Sequence, residues 1–400
     1  MVNLHTLEKK FTGRDKSLFN QDLVAHSSDI KKIVENSSFL VLGGAGSIGQ
    51  SVVKEIFSRN PKKLHVIDLN ENNLTELSRD LRSSLGYIDG EYKTFCIDIG
   101  LQTFEAYFNT EGSFDYVLNL TAMKHVRSEK DPYSLARMID INIFNTIKTI
   151  KLCISKGVKK YFCVSTDKAA NPVNLMGASK RIMELFLMRD KKNISISTAR
   201  FANVAFSDGS LPFSFVKRIE KNQPLSVPND IKRFFVSHRE AGELCLMSCI
   251  YGKNMEIYFP KLDENNNAIN FIDLAHEFLR EEGLKPIICH CETKARELMK
   301  TINTKDEWPL LCSETNTSGE KPIEEFYSAN ERIELSHYNG IGIVYPDLRH
   351  EIKKLESFEK KFKIQAITSS YKKNFIVSEM KKLVPNFLHL EKDKSLDEKM

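Results

Sequence analysis

The sequence predicts an α/β protein built on a doubly wound, Rossmann-like parallel sheet. Two observations carry that expectation: short apolar runs alternate with longer helical stretches from residue 39 onward, and a glycine-rich turn follows the first run. FLVLGG reads as the first strand, with a helix from about Ile48. LHVIDL is the second strand, followed by another helix, then KTFCIDI and FDYVLNL as the third and fourth. A long helix is expected near 133–156, KKYFCVS as the fifth strand, and a further helix through Met176 and Lys180. Sheets of this kind collect ligands at the carboxyl ends of their strands, where loops and helix N-termini converge.

Four hundred residues exceed one ordinary domain, so a main domain with a smaller second lobe is expected. The net charge of +5 arises from 58 basic and 53 acidic residues scattered along the chain, without the basic stripe that nucleic-acid binding requires. No run approaches the roughly 20 apolar residues of a membrane helix, and the first residues lack the apolar core of a signal peptide. A cytoplasmic protein without a membrane or nucleic-acid partner is therefore expected. Eight widely spaced cysteines in mostly apolar surroundings read as reduced thiols. Cys289-His290-Cys291 has no second ligand pair at a suitable spacing, so no metal site is expected.

At the end of the first strand, GGAGSIG spaces Gly43, Gly46 and Gly49 three apart, with Ser47 and Ile48 opening the helix. One glycine allows the tight turn, one lets backbone approach a pyrophosphate, and one lets the helix pack closely; the helix N-terminus supplies donors. Asp68 ends the second strand nineteen residues after Gly49, where a carboxylate would accept hydrogen bonds from an adenosine ribose. The pattern predicts dinucleotide binding, with Asp68 favouring NAD over NADP by repelling a 2′-phosphate; a nearby basic residue would admit NADP. Asp98, ending the third strand, is a candidate adenine contact or a helix cap.

STDKAANPVNLMGASK, residues 165–180, has the layout of a short-chain dehydrogenase active-site segment, but Met176 stands where that superfamily has a tyrosine four positions before a lysine. Met176 and Lys180 share a helix face, which brings Lys180 beside Thr166, Asp167 and Lys168. Together with NLTAMKHV, RFANVAFSDGSLPFSF, IKRFFVSHREAGEL and TSGEKPIEEF, the segments resemble the nucleotide-sugar 4,6-dehydratases of the extended short-chain dehydrogenase superfamily that act on UDP-N-acetylglucosamine, from about residue 39 to 330. Several branches of that family carry methionine at the tyrosine position.

The resemblance implies a tightly bound NAD that is recycled, a UDP-sugar substrate and a homo-oligomer. It implies an NAD-binding domain over 39–200 and a substrate-binding lobe over 201–345 interleaved with it; outside the resemblance, residues 1–38 read as an N-terminal arm with one amphipathic helix and 346–400 as a C-terminal helical extension. Either terminal extension could pack on a neighbouring subunit. C4 oxidation, loss of water across C5 and C6 and return of hydride to C6 need more acid and base groups than a simple dehydrogenase uses. Asp167 is assigned as the acid for the C6 hydroxyl, Lys168 as the C5 base and Thr166 as the C4 oxygen ligand; Lys180 would bind the nicotinamide ribose. Relatives place Lys124 and His125 toward the sugar or its diphosphate, Asn142 as a structural asparagine, and Asn203 and Ser210 at the nucleotide diphosphate. Arg233 is the candidate phosphate clamp, since a guanidinium binds phosphate bidentately. Lys321 and Glu320 are expected to close over the nucleotide. Arg127 departs from the family's proline after KHV. A UDP-sugar 4-epimerase and a non-catalytic sensor are the alternatives.

Overall fold

The computed structural model describes residues 4–302, 306–315, 319–346, 354–368 and 372–389. Its strands are β1 (Ser38–Leu42), β2 (Lys63–Asp68), β3 (Glu91–Cys96), β4 (Tyr116–Asn119), β5 (Lys160–Thr166), β6 (Ser195–Phe201), β7 (Asn203–Val204), β8 (Leu225–Pro228), β9 (Lys232–Val236), β10 (Ile257–Pro260), β11 (Ala268–Asn270), β12 (Lys285–Cys289), β13 (Glu307–Ser313), β14 (Arg332–Glu334) and β15 (Ile341–Tyr345). Nine form one sheet in the order β14-β15-β10-β6-β5-β4-β1-β2-β3. All pairs from β3 to β10 are parallel; β15 and β14 add an antiparallel edge. The smaller sheets, β11-β9-β7 and β12-β13-β8, build the second lobe.

The apolar runs explain the layering. In β1, Phe39 and Val41 pack into one hydrophobic cluster while Leu40 and Leu42 pack into the cluster on the opposite face. A strand covered on both faces must be apolar at consecutive positions, which is why FLVL lacks polar alternation. The chain winds outward from β1 through β2 to β3, then restarts at β4 on the other side of β1. That reversal opens a crevice at the carboxyl ends of β1 and β4.

The long helix expected near 133–156 is interrupted. An α-helix over Pro132–Ile139 passes into a π-turn over Asp140–Phe144, where the Asn145 N–H reaches back five residues to the Asp140 carbonyl, and resumes over Asn145–Ser155. The extra residue turns Asn142 toward its neighbours: its Oδ1 accepts from the Met123 N–H at 2.9 Å, and its Nδ2 donates to the Met123 carbonyl at 3.1 Å and Ser179 Oγ at 2.9 Å. This one side chain ties the loop after β4 to the helix Leu175–Arg189.

The N-terminal arm holds two helices rather than one, Leu4–Thr12 and Asn20–Glu35, separated by a turn at Gly13. Both pack on their own chain. Leu7 and Phe11 enter the core of the second lobe, and Arg14 grips Glu240 with bonds of 2.9 and 2.7 Å. After β15, the helix Leu355–Thr368 lays Phe358 and Phe362 against Phe144, and Phe358 against Phe186, while Lys373–Leu383 packs on Leu175–Arg189. The charged tail from residue 391 lies outside the described residues. Among the described residues, no helix is long and apolar enough to cross a membrane.

Candidate active site

Two adjoining cavities, about 260 and about 330 Å³, share Gly43, Gly46, Leu120 and Ala122 and together make one cleft along the carboxyl ends of the strands. The first wing is lined by Asp68, Asp98, Arg137 and Asn145, and the second by Lys124, His125, Thr166, Lys168, Met176, Lys180, Asn203 and Ser210.

The glycine turn has the form the sequence suggests. Gly43 has φ of +73°, and Gly46 is the N-cap of the helix Ser47–Phe57 without any side-chain cap. The first N–H groups of that helix are thus left to a ligand. A Cβ on Gly46 would meet nothing closer than 3.6 Å, so its face is open to the cleft. Gly49 is closed instead: a Cβ there would lie 2.2 Å from the Gly43 carbonyl oxygen. Asp68 accepts from the Ala45 N–H at 2.9 Å and the Asn70 N–H at 3.0 Å, bracing the turn from β2. Asp98 does not cap the next helix, whose N-cap is Leu101 without a side-chain cap, but braces the turn before it. Its Oδ1 accepts from the Gly100 N–H at 2.7 Å, its Oδ2 pairs with Arg137 at 3.0 Å, and it lines the wing. Ser47 and Ile48 line the second wing, and Ser47 Oγ accepts from the Asp208 N–H at 3.0 Å.

At the end of β5, Thr166 and Lys168 face the cleft while Asp167, 1% exposed, stands behind them. The Thr166 hydroxyl donates to Asp167 Oδ1 at 2.7 Å, and that oxygen also receives the Lys168 N–H at 2.8 Å and its ammonium at 3.1 Å. Oδ2 is buried without a partner. Burial pushes the Lys168 ammonium down, but the Asp167 and Glu324 carboxylates outweigh it and hold it above the ordinary lysine value. Met176 and Lys180 both line the cleft, as their shared helix face requires. Lys180 is buried, donates to the Val164 carbonyl at 3.1 Å, and burial lowers its pKa.

On the opposite wall Lys124 and His125 stand at the mouth, both with pKa values lowered, first by the crowding of the cleft walls. For His125 the Lys124 and Arg127 charges add to this. Asn203 lines the cleft beside Ser210, whose Oγ caps the helix Leu211–Glu220 by accepting from the Phe213 N–H at 3.3 Å.

Three residues expected on the substrate side stand outside the cleft lining. Arg233 is buried under the segment 319–326 rather than lining the cleft; its guanidinium donates to the Lys232 and Lys321 carbonyls at 2.8 and 2.9 Å. All of these bonds are made by Nη1. Lys321 points to Glu325 at 3.5 Å and Glu324 at 4.0 Å and does not line the cleft either. Glu320 is likewise absent from the lining.

Three charged residues at or beside the cleft escaped the sequence reading. Glu129 accepts the Met176 N–H at 2.8 Å, Arg137 answers Asp98, and Glu324 approaches Lys168 from the second lobe. Only Glu324 had a signal, its place within TSGEKPIEEF. Away from the cleft His65, Glu91 and Glu111 converge, but both ring nitrogens of His65 are already engaged, with Tyr107 at 2.7 Å and Glu91 at 2.6 Å. Cys289 is buried and Cys291 exposed.

With this geometry in place, similarity to known proteins can be stated. Residues 39–344 match the family described as polysaccharide biosynthesis protein. The chain is 30% identical over 80% of its length to 88% of an uncharacterized membrane protein of Methanocaldococcus jannaschii. It is 28% identical over 66% of its length to 77% of an inverting UDP-N-acetylglucosamine 4,6-dehydratase of Campylobacter jejuni. A UDP-glucose 4-epimerase of Rickettsia bellii is 23% identical over 90% of the chain and 98% of its own. Among solved structures, Pen from Bacillus thuringiensis superposes with a TM-score of 0.63 at 25% identity, covering 79% of this chain and 89% of that one.

Proposed function

Since the chain belongs to the polysaccharide biosynthesis protein family, an extended short-chain dehydrogenase group, we propose that it is an NAD-dependent nucleotide-sugar 4,6-dehydratase whose substrate is UDP-N-acetylglucosamine. The observation that carries this reading is the cluster at the end of β5: a hydroxyl and an amine on the cleft wall, with a buried carboxylate joined to both. An epimerase moves one hydride and one hydroxyl proton and has no use for a second proton-transfer pair.

The glycine turn, its uncapped helix and Asp68 fit a dinucleotide, and Lys180 would hold its nicotinamide ribose. Bound NAD would supply the acceptor for the C4 hydride and its return to C6. The chain's own groups handle the protons. Thr166, within hydrogen-bond reach of Asp167, receives the C4 hydroxyl proton and passes its own to the carboxylate. Asp167 then holds the proton that the leaving C6 hydroxyl needs, and because the carboxylate lies behind Thr166, delivery runs back through that hydroxyl. Lys168 in its neutral form takes the C5 proton and, its ammonium exchanging with solvent, returns a proton to C5 after elimination. The count closes: the C4 hydroxyl proton departs with the C6 hydroxyl as water. Protonating Asp167 also removes one of the two anions that hold the Lys168 ammonium above its ordinary value, so oxidation at C4 prepares the base for C5. Met176 adds no proton-transfer group and fills the wall beside Lys180.

Incubation of the purified chain with UDP-N-acetylglucosamine in deuterated water, followed by NMR, tests the reading. A 4-keto-6-deoxy product with deuterium at C5 is expected. A C4 epimer formed without loss of water, or no turnover across several nucleotide sugars, overturns it.

Gly49→Ala tests the cofactor turn. Its Cβ would collide with backbone at Gly43 and Gly44, which cannot rotate aside. A loss of about 1–3 kcal/mol in stability is expected from such overpacking, together with weakened NAD binding. Thermal denaturation with and without added NAD measures both.

A further inference from the structure

We infer that Glu324 is a positioning residue for Lys168, a second carboxylate beside its ammonium supplied by the segment between β13 and β14. The inference rests on the dehydratase reading above and names a part of that site the proposed reaction has not yet used. Glu324 belongs to the segment between β13 and β14 and is 3% exposed. Its Oε1 lies 3.9 Å from Lys168 Nζ and 3.9 Å from the Arg233 guanidinium, and its Oε2 lies 4.0 Å from Lys321 Nζ. All three separations exceed hydrogen-bond length, and Oε2 is buried without a hydrogen-bond partner. The carboxylate therefore acts on Lys168 through charge and leaves the ammonium free to move toward the cleft.

Arg233, which does not line the cleft, gains a purpose in this arrangement. By donating to the Lys321 and Pro322 carbonyls it fixes the backbone that carries Glu324. The groups facing Lys168 are then Asp167 from β5, Glu324 from the second lobe, and Arg233 behind Glu324, with Lys321 on the far side of that carboxylate. Burial and the Asp167 charge push the Glu324 carboxyl upward, while Lys168, Arg233 and Lys321 oppose them. When Asp167 holds the C4 proton, Glu324 is the remaining carboxylate within 4 Å of the ammonium among the described residues.

The test compares the full-length wild type with Glu324→Gln and Glu324→Asp, using UDP-N-acetylglucosamine across a pH series. Removing an anion beside an ammonium lowers its pKa. The limb of the kcat profile that rises as Lys168 loses its proton should therefore move to lower pH by about one unit in Glu324→Gln. On the acid side of that limb kcat is expected to rise by up to about tenfold, because more Lys168 is neutral there, with KM within about twofold, since Glu324 touches no substrate. Glu324→Asp, which keeps the charge at a greater distance, should move the limb the same way by less, and it carries the test if the glutamine protein does not fold. A profile superimposable on wild type in the folded variants, with only a lowered melting temperature, overturns the inference and leaves the dehydratase reading standing. A wild type that does not dehydrate the substrate overturns both.

Discussion

Asp167→Asn is expected to lower kcat for water elimination about 10²–10⁴-fold while leaving the chain folded. The substitution is nearly isosteric. An asparagine oxygen can still accept from Thr166 and from the Lys168 N–H, so the local turn survives. What is lost is the ability to store a proton, and with it the closest counter-charge to the Lys168 ammonium, 3.1 Å away. KM should change little, because Asp167 lies behind the cleft wall and meets substrate only through Thr166. Steady-state kinetics by NMR, with circular dichroism and a melting curve as controls, gives the answer. An Asp167→Asn protein with full elimination activity would remove Asp167 from the reaction.

Arg200→Met is expected to destabilise the protein by about 3–5 kcal/mol and to lower its melting temperature by roughly 10 °C. Arg200 is fully buried near the end of β6. It grips Glu184 at 3.0 and 2.8 Å, Glu331 at 2.7 and 2.8 Å, and the Phe326 carbonyl at 2.9 Å. Removing it leaves two buried carboxylates with only Arg181 to share, and an unpaired buried charge costs far more than the pair contributes. The same network sets an acid limit. Burial works against the Glu331 anion, but Arg200 prevails and holds its carboxyl at about 2, below the usual 4.5. A depressed carboxyl contributes stability above its unfolded value that is lost as pH falls through the folded one. Wild type should therefore weaken between pH 4.5 and about 2, and Glu331→Gln should lack that part of the pH dependence. Denaturant melts across this range measure it.

The residues legible in the sequence are those whose partners are near in the chain. GGAGSIG and Asp68 declared themselves because turn, helix and following strand form one local unit, and residues 165–180 did so because one turn and one helix carry Thr166 through Lys180. Glu324, Arg137 and Glu129 were hidden because each meets its partner across 39 to 156 residues of chain, and nothing about a lone carboxylate or guanidinium announces the distant group it will face. The carbonyl contacts of Arg233 were hidden for a related reason. An arginine followed by two phenylalanines gives no sign of whether its guanidinium meets phosphate or backbone carbonyls. The N-terminal arm was read as holding one helix because the break at Gly13 lies within an otherwise plausible helical pattern.

The π-turn at Asp140–Phe144 carries a consequence for any variation in chain length. A regular α-helix spanning the same ends would need one residue fewer, so deleting a residue within the turn leaves the flanking helices in register and removes the bulge that presents Asn142. Asn142 on one side of the turn reaches Met123 and Ser179, while Thr149 on the other side meets Tyr161 at 2.7 Å. Such a deletion keeps the Thr149 contact and loses those of Asn142. Indels in this helix should therefore disable the site at a distance, through the loop carrying Lys124 and His125, even where every residue lining the cleft is preserved.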